Sequence, residues 1–335
     1  MRLFGVIPVF ILILSPLDAL AVDDPADLVA KASLAPVMDL SVGPSGLVAV
    51  GDRGHILRAT QSGWEQQAVP VRSLLTAVSF AGEQGWAVGH DATILQTEDA
   101  GKTWQIADQR PELDKPLLDV LPLDGSTVLA VGAYGLMFRR DGQTGSWQEE
   151  FHDELLHEED KAYLDELKLE DNVLYLDERG AILPHFNRIR RLRSGQLYLV
   201  GEMGFIARSD DLGRIWQMLP PFYDGSLYDV LETPSGSLIA MGLRGHLFRS
   251  EDGGEQWQEI DSGIDATVNQ ALLLADGRIA MVSNAGYLLI SDDDGLSFRV
   301  IEVAKGKDLV AIAQTLDQRI AIAGSDGVAW IDIPQ

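Results

Sequence analysis

The 335-residue sequence predicts an all-β fold, a seven-bladed β-propeller of four-stranded blades, and three observations carry that reading. First, a phrase of the form apolar–Gly–x–x–Gly–apolar, sometimes eroded, returns as VGDRGHI, VGHDATI, VGAYGLM, VGEMGFI, MGLRGHL, VSNAGYL and AGSDGVA. The copies follow one another at about forty residues, a period shared by helical arrays and propeller blades. Second, the runs between copies (LYLVG, SLIAMG, LFRSED) are short, alternate in strand fashion and end at glycine turns, which selects blades over helices. Third, the octet TEDAGKTW at 97–104 returns as SDDLGRIW, SEDGGEQW and SDDDGLSF, with acid, glycine and aromatic at fixed offsets.

Taken from the N-terminus, Arg2 precedes an apolar run from Leu3 to Leu14, and Ala19-Leu20-Ala21 supplies a small-residue cleavage site. Residues 1–21 therefore read as a signal peptide, and the mature chain is expected in the periplasm or another extracytoplasmic space. No later run is long and apolar enough for a membrane span. Residues 22–335 read as a single propeller. Its last unit stops at WIDIPQ, after a third strand, so Val29–Leu34 (VAKASL) is expected to return as the outer strand of that blade and close the ring.

One spacing between copies is longer than the rest by nearly thirty residues, which marks an insertion at 153–184, between blades 3 and 4. Within it Leu155, Leu156, Tyr163, Leu164 and Leu167 recur at roughly helical spacing among acids, so Asp153–Asp171 is expected to be an amphipathic helix. The same stretch holds His152, Glu154, His157 and Glu158, but its histidines are five apart and point differently on a helix. No metal and no cofactor is expected.

The octet lies between the third and fourth strands of a blade, so it is a hairpin turn. Asp99, Asp211, Asp252 and Asp293 are expected to accept backbone N–H groups across the turn, as Asx turns do. Gly101, Gly213, Gly254 and Gly295 take the backbone angle other residues resist. Trp104, Trp216, Trp257 and Phe298 open the outer strand and pack beneath the turn. These residues are structural.

The Gly–x–x–Gly turns and the connections between blades share the other face. There the chemistry varies, and Arg53, His90, Tyr134, Glu202 and Arg244 are candidate partner-binding residues. Two more candidates, Arg188 and Arg190, come from FNRIRRLRSG at the start of blade 4. Aligning the inner strands places Asp39, Ala77, Asp119, Arg188, Asp229, Gln270 and Ala311 in one channel-facing column. Either the arginines pair with acids across the channel, or they form a clamp for a carboxylate or other anion.

Composition narrows the partners. The formal charge of −25 repels phosphate backbones and anionic lipid surfaces, so neither nucleic acid nor a membrane surface is expected as partner. There is no cysteine, which excludes disulfides and thiolate chemistry.

The pattern S-x-D-x-G-x-[TS]-W resembles the Asp-box, or BNR repeat, of sialidases and other exported propellers. Joined to the VGxxG phrase it most resembles the photosystem II stability/assembly factor family, over about residues 35–335. That resemblance implies a non-catalytic, monomeric scaffold that binds a protein partner, with an envelope membrane protein complex as client. The alternative is a sialidase-like glycoside hydrolase or glycan-binding propeller. Arg53, Arg188, Arg244, Tyr134, Glu202 and Asp229 supply the residue types such an enzyme needs, although its arginine-isoleucine-proline motif is replaced here by APVMDLSVG.

Overall fold

The computed structural model describes residues 24–333, so the expected signal peptide lies outside the described residues. Six antiparallel sheets have four strands each in simple meander order, and a seventh has three. The first blade shows the plan, with strands Val37–Gly43, Gly46–Gly51, Ile56–Thr60 and Gly63–Gln66 from the axis outward. The innermost strands of the other six are Leu75–Ala81, Leu117–Pro122, Phe186–Arg191, Leu227–Glu232, Val268–Leu273 and Leu309–Gln314. Each neighbours the next, and the last returns to the first, so the ring is closed. Apolar clusters fill the spaces between blades, such as Trp86, Phe138 and Trp147 between the second and third.

Every inner strand carries a bulge near its start, as where Val37 faces Gly51 but Asp39 faces Val50. The first glycine of the VGxxG phrase makes room for it. A Cβ on Gly51 would lie 2.2 Å from the Pro36 carbonyl oxygen. The second glycine receives the connection to the following blade, and a Cβ on Gly286 would lie 1.8 Å from the carbonyl oxygen of Ala304.

That second contact corrects the expectation for Val29–Leu34. Ala32–Leu34 is one 3-10 turn, not a strand, and the seventh sheet keeps three strands among the described residues. The segment takes the place of a connector instead, because a Cβ on Gly327 would sit 1.9 Å from the Ser33 carbonyl oxygen. It closes the ring at the turn face, and Trp64 of the first blade stacks on Trp330 of the seventh, 5.8 Å between rings.

Between the strands Trp147–Glu150 and Phe186–Arg191 the chain forms two helices, α1 (Glu158–Glu170) and α2 (Asn172–Arg179). The single helix expected over Asp153–Asp171 is broken at both ends. Asp153–Leu155 is a separate 3-10 turn, and Asp171 leaves helical geometry to cap α2, accepting the Val173 and Leu174 amides. Leu155, Leu164 and Leu167 are buried against Phe186, Phe205 and Trp216 of the following blade.

The octets fold as hairpin turns. Oδ1 of Asp99 accepts the amides of Lys102 (3.0 Å) and Thr103 (2.9 Å), and Asp211 does the same for Arg214 and Ile215. The first residue of the octet also works, since the Ser209 hydroxyl accepts the Gly213 amide at 2.9 Å. Two successive left-handed residues make each turn, Leu212 (φ 63°) and Gly213 (φ 77°) here. Trp104 and Trp216 are buried below, and the Trp104 indole donates to the Gly101 carbonyl at 3.1 Å.

What little burial Asp99 has would raise its carboxyl, but the Thr103 amide and hydroxyl, with Thr97 and Lys102, outweigh it and bring it down to about 2. Asp211 and Asp293 are lowered in the same manner. A carboxyl depressed in the fold releases protons on folding, so its contribution is complete above the ordinary 3.8 and is lost as pH falls towards about 2. The Asp99→Asn/Asp293→Asn variant is accordingly expected to show a shallower fall of Tm between about pH 4 and pH 2 than the parent, by circular dichroism melts. An acid limb of unchanged slope would remove these turns from the account of acid stability.

Candidate functional site

Two regions gather polar side chains. The first is the axial channel. After the bulge, Asp39, Asp119 and Asp229 occupy equivalent positions, opposite Val50, Val131 and Met241. Their carboxylates reach the next blade rather than the open axis. Asp39 accepts the Val78 amide (2.9 Å), Asp119 the Ile189 amide (2.8 Å) and Asp229 the Ala271 amide (3.0 Å). Gln270 accepts the Ile312 amide through Oε1 at 2.6 Å. One position earlier the polarity reverses. Thr76, Asn187 and Asn269 donate to the carbonyls of Leu117, Leu227 and Leu309 in the next inner strand. Each blade from the first to the sixth is thus tied to its successor by one side chain or two. The seventh has Val310 and Ala311 at these positions, and an alanine-rich core (Ala311, Ala313, Ala321, Ala323) packs it against the first.

Arg188 and Arg190 enter this channel from one strand. Arg190 grips Asp229 with both ends of its guanidinium, Nε to Oδ1 at 2.7 Å and Nη2 to Oδ2 at 2.6 Å. Arg188 lies 3.4 Å from Asp119. Internal pairing therefore takes both arginines. Burial opposes the charge on Asp229, yet Arg190 outweighs it and holds that carboxyl below its usual range. Asp39 has no guanidinium in contact, and its Oδ1 is buried without a partner. Burial lifts the Asp39 carboxyl to about 6 against the pull of Arg188. A cavity of about 220 Å3 lies among these groups.

The second region is the turn face. Six of its turns place a non-glycine residue in left-handed backbone: Arg53, Asp91, Tyr134, Met203, Arg244 and Ala285. Arg53, His90, Tyr134, Met203 and Arg244 are exposed there. Tyr134 and Glu202 are brought together through His185, which the sequence reading missed. The Tyr134 ring meets His185 edge-on at 4.5 Å, and the same imidazole lies 3.1 Å from Glu202. The Lys115 Nζ stands over the Tyr134 ring, 5.8 Å from its centroid. Beside this strip a groove of about 200 Å3 runs between the insertion and the fourth blade, lined by Leu156, Ile182, Met203, Phe205 and Pro221. Arg244 sits near Tyr223, next to the pair His246–Glu259 at 2.6 Å. Arg53 pairs loosely with its neighbour Asp52 at 3.4 Å.

The arginines needed for a sialidase-type clamp are dispersed, with Arg53 and Arg244 on separate exposed turns and Arg188 held inside by Asp119. Near the insertion, His152 touches Glu154 (2.9 Å) and Glu150 (3.5 Å), and His157 instead lines the groove.

The family model for the photosynthesis system II assembly factor YCF48 matches residues 39–332. The photosystem II assembly proteins Ycf48 of two Synechococcus strains, JA-3-3Ab and JA-2-3B'a(2-13), are 39% identical over 46 residues. That stretch is 13% of this chain and 14% of each relative, so the aligned part spans about one seventh of their length. Among solved structures, YCF48 bound to D1 peptide superposes with a TM-score of 0.67 at 18% identity, over 90% of this chain and 93% of that one. YCF48 from Cyanidioschyzon merolae gives 0.66 at 17% identity, over 88% and 95%. The WD40 propeller domain of Doa1 gives 0.65 at 12% identity, over 94% and 96%, which shows that such superposition reports the fold.

Asp39 supplies a test of the channel. A carboxyl raised in the fold binds its proton more tightly than the unfolded chain does. Its cost to stability is nil below the ordinary 3.8, grows towards about 6, and is full above that. Asp39→Asn keeps an acceptor for Val78 and is expected to stabilise by up to about 3 kcal/mol at pH 8 and much less at pH 4.5, in urea titrations. Arg190→Met is expected to destabilise by about 3–5 kcal/mol because it strands the buried Asp229 carboxylate, with Asp229→Asn restoring part of the loss.

Proposed function

The chain belongs to the family of the photosynthesis system II assembly factor YCF48, and from that membership we propose that it is a protein-binding assembly scaffold without catalytic activity, working outside the cytoplasm. The leader-like sequence of residues 1–21 motivates the location, which carries the expectation of a periplasmic site. The client is a segment of a membrane protein complex presented at that surface. A solved propeller of this family is in complex with D1 peptide, which supports a polypeptide as the kind of ligand.

The observation that carries the reading is the strip Lys115–Tyr134–His185–Glu202, continuous with the apolar groove at Met203. It joins an exposed aromatic, charges of both signs and an apolar slot on one rim, the mixture that makes binding centres in protein interfaces. Arg53, His90 and Arg244 extend the same rim around the ring. Arg188 and Arg190 serve it indirectly, by holding the fourth blade in place beside its neighbours.

The test is crosslinking and co-purification of the tagged mature protein from envelopes, with client recovery quantified by mass spectrometry. Tyr134→Ala combined with Met203→Ala is expected to reduce recovery by about tenfold or more while Tm is unchanged. Recovery that persists in this variant would move the client elsewhere on the molecule. Turnover of a fluorogenic sialoside, abolished by Arg188→Ala, would replace the scaffold with an enzyme.

A further inference from the structure

The seventh blade differs from its six siblings at the outer edge. Its third strand, Gly327–Ile331, pairs inward with Ile320–Gly324, and among the described residues no strand pairs with its other side. Alternate residues of such a strand direct N–H and C=O groups outward, a ready template for a further strand. Ala329 is exposed, whereas its equivalent in the sixth blade, Leu289, is fully buried among Ile239, Met241 and Leu247 of the fifth blade, with Val300 of its own outer strand packed alongside. Next to the edge lies a largely polar cavity of about 390 Å3, where Gln314, Asp317 and Asp332 join Ile320, Trp330 and Ile331 in the lining. Its mouth is ringed by the pairs Arg278–Asp276 (2.8 Å) and Arg319–Asp317 (2.9 Å), and Arg319 also stacks over Trp330.

We propose that this edge is a second polypeptide-binding site, which takes an extended segment of a partner chain as the fourth strand of the blade. The sixth blade shows the register, with Ile301 opposite Leu288, Val300 opposite Leu289 and Arg299 opposite Ile290. The matching positions of the seventh blade are Val328, Ala329 and Trp330. An incoming strand pairs there antiparallel, and its main chain supplies the affinity. Charge selects the occupant. A second copy of a chain with formal charge −25 is repelled, so the fitting partner is a neutral or basic segment with alternating apolar residues. The site stands apart from the turn-face strip and does not depend on it.

The probe is the fluorescein-labelled peptide SFRVIEV, this chain's own residues 297–303, with the control SFRVPEV, whose proline removes the ladder N–H of the residue opposite Val328. Fluorescence anisotropy with the full chain is expected to give saturable binding of SFRVIEV, weakened about tenfold or more in the control and in Val328→Pro, which removes an outward N–H. Hydrogen exchange is expected to show the outward amides of Val328 and Trp330 exchanging freely alone and protected with the peptide. Because Val328→Pro could unfold the blade, the control peptide on the unmodified chain decides independently. Equal binding of both peptides, or none, overturns the proposal. So does protection of the Val328 and Trp330 amides in the free protein, whether by the chain itself or by a second copy in a dimer seen by sedimentation.

Discussion

The structure depends on one recurring hydrogen bond, between a side chain of one inner strand and the main chain of the inner strand in the next blade. Inner strands are bonded on one side only by their own sheet, and their other side faces the crowded axis, where water reaches poorly. A buried amide without a partner costs free energy comparable to a lost hydrogen bond. Asp39, Asp119, Asp229 and Gln270 supply acceptors there, and Thr76, Asn187 and Asn269 satisfy the carbonyls opposite. Because donor and acceptor sit on different blades, satisfying the main chain also fixes the angle between blades. At the seam between seventh and first blades that device is replaced by close alanine packing, a stacked tryptophan pair and the connector at Ser33.

This use of carboxylates sets the charge arrangement of the channel. Three aspartates brought within the axis repel one another, and the two arginines of the fourth blade answer two of them. The third, Asp39, is left to burial and keeps a proton to about pH 6. The arginine-rich phrase that looked most like an anion clamp thereby becomes the counter-charge of the latches. Its guanidiniums contribute fixed geometry, since breaking either pair would leave a desolvated ion behind.

What was legible in the sequence was local chemistry. Octets and VGxxG phrases are read directly because each is a turn whose glycine, acid and aromatic act within eight residues, as Asp211, Gly213 and Trp216 do. The column of Asp39, Asp119 and Asp229 was also legible, by aligning strands on a shared turn. Its purpose was not, because donors such as Val78 and Ala271 lie about forty residues away and belong to another blade. The segment Val29–Leu34 was misread for a related reason. Ring closure demands that something return to the seventh blade, but the demand is met at Gly327, where every other blade receives a connector. In the candidate site Tyr134 and Glu202 were visible as turn tips, whereas His185, which joins them, sits in a connector with no periodic signal. The halt of the first helix was visible only as Asp171, an ordinary cap residue within an acidic run.

Backbone strain does not tell which rim is functional, since left-handed non-glycine residues occur at both ends: Tyr134 and Met203 at one, Ala100, Leu212 and Asp294 at the other. The turn geometry requires that conformation wherever it occurs, at about 1–2 kcal/mol for a side-chain-bearing residue. The difference lies in what the strained position carries and what stands beside it. At the octet rim two of the three are consumed, Asp294 by Ser235 and Arg249 and Ala100 by burial, and Leu212 is exposed without a groove among its neighbours in the turn. At the other rim Tyr134 and Met203 are exposed beside a groove whose far wall is the insertion, and that wall is fixed. Glu154 accepts the Trp216 amide at 3.1 Å, Pro184 accepts the Gly135 amide at 2.9 Å, and Leu164 and Leu167 are buried between them. A segment pinned at both ends and along its middle is a preformed wall, so the groove at Met203 offers a partner a surface whose ordering cost was met when the ring folded.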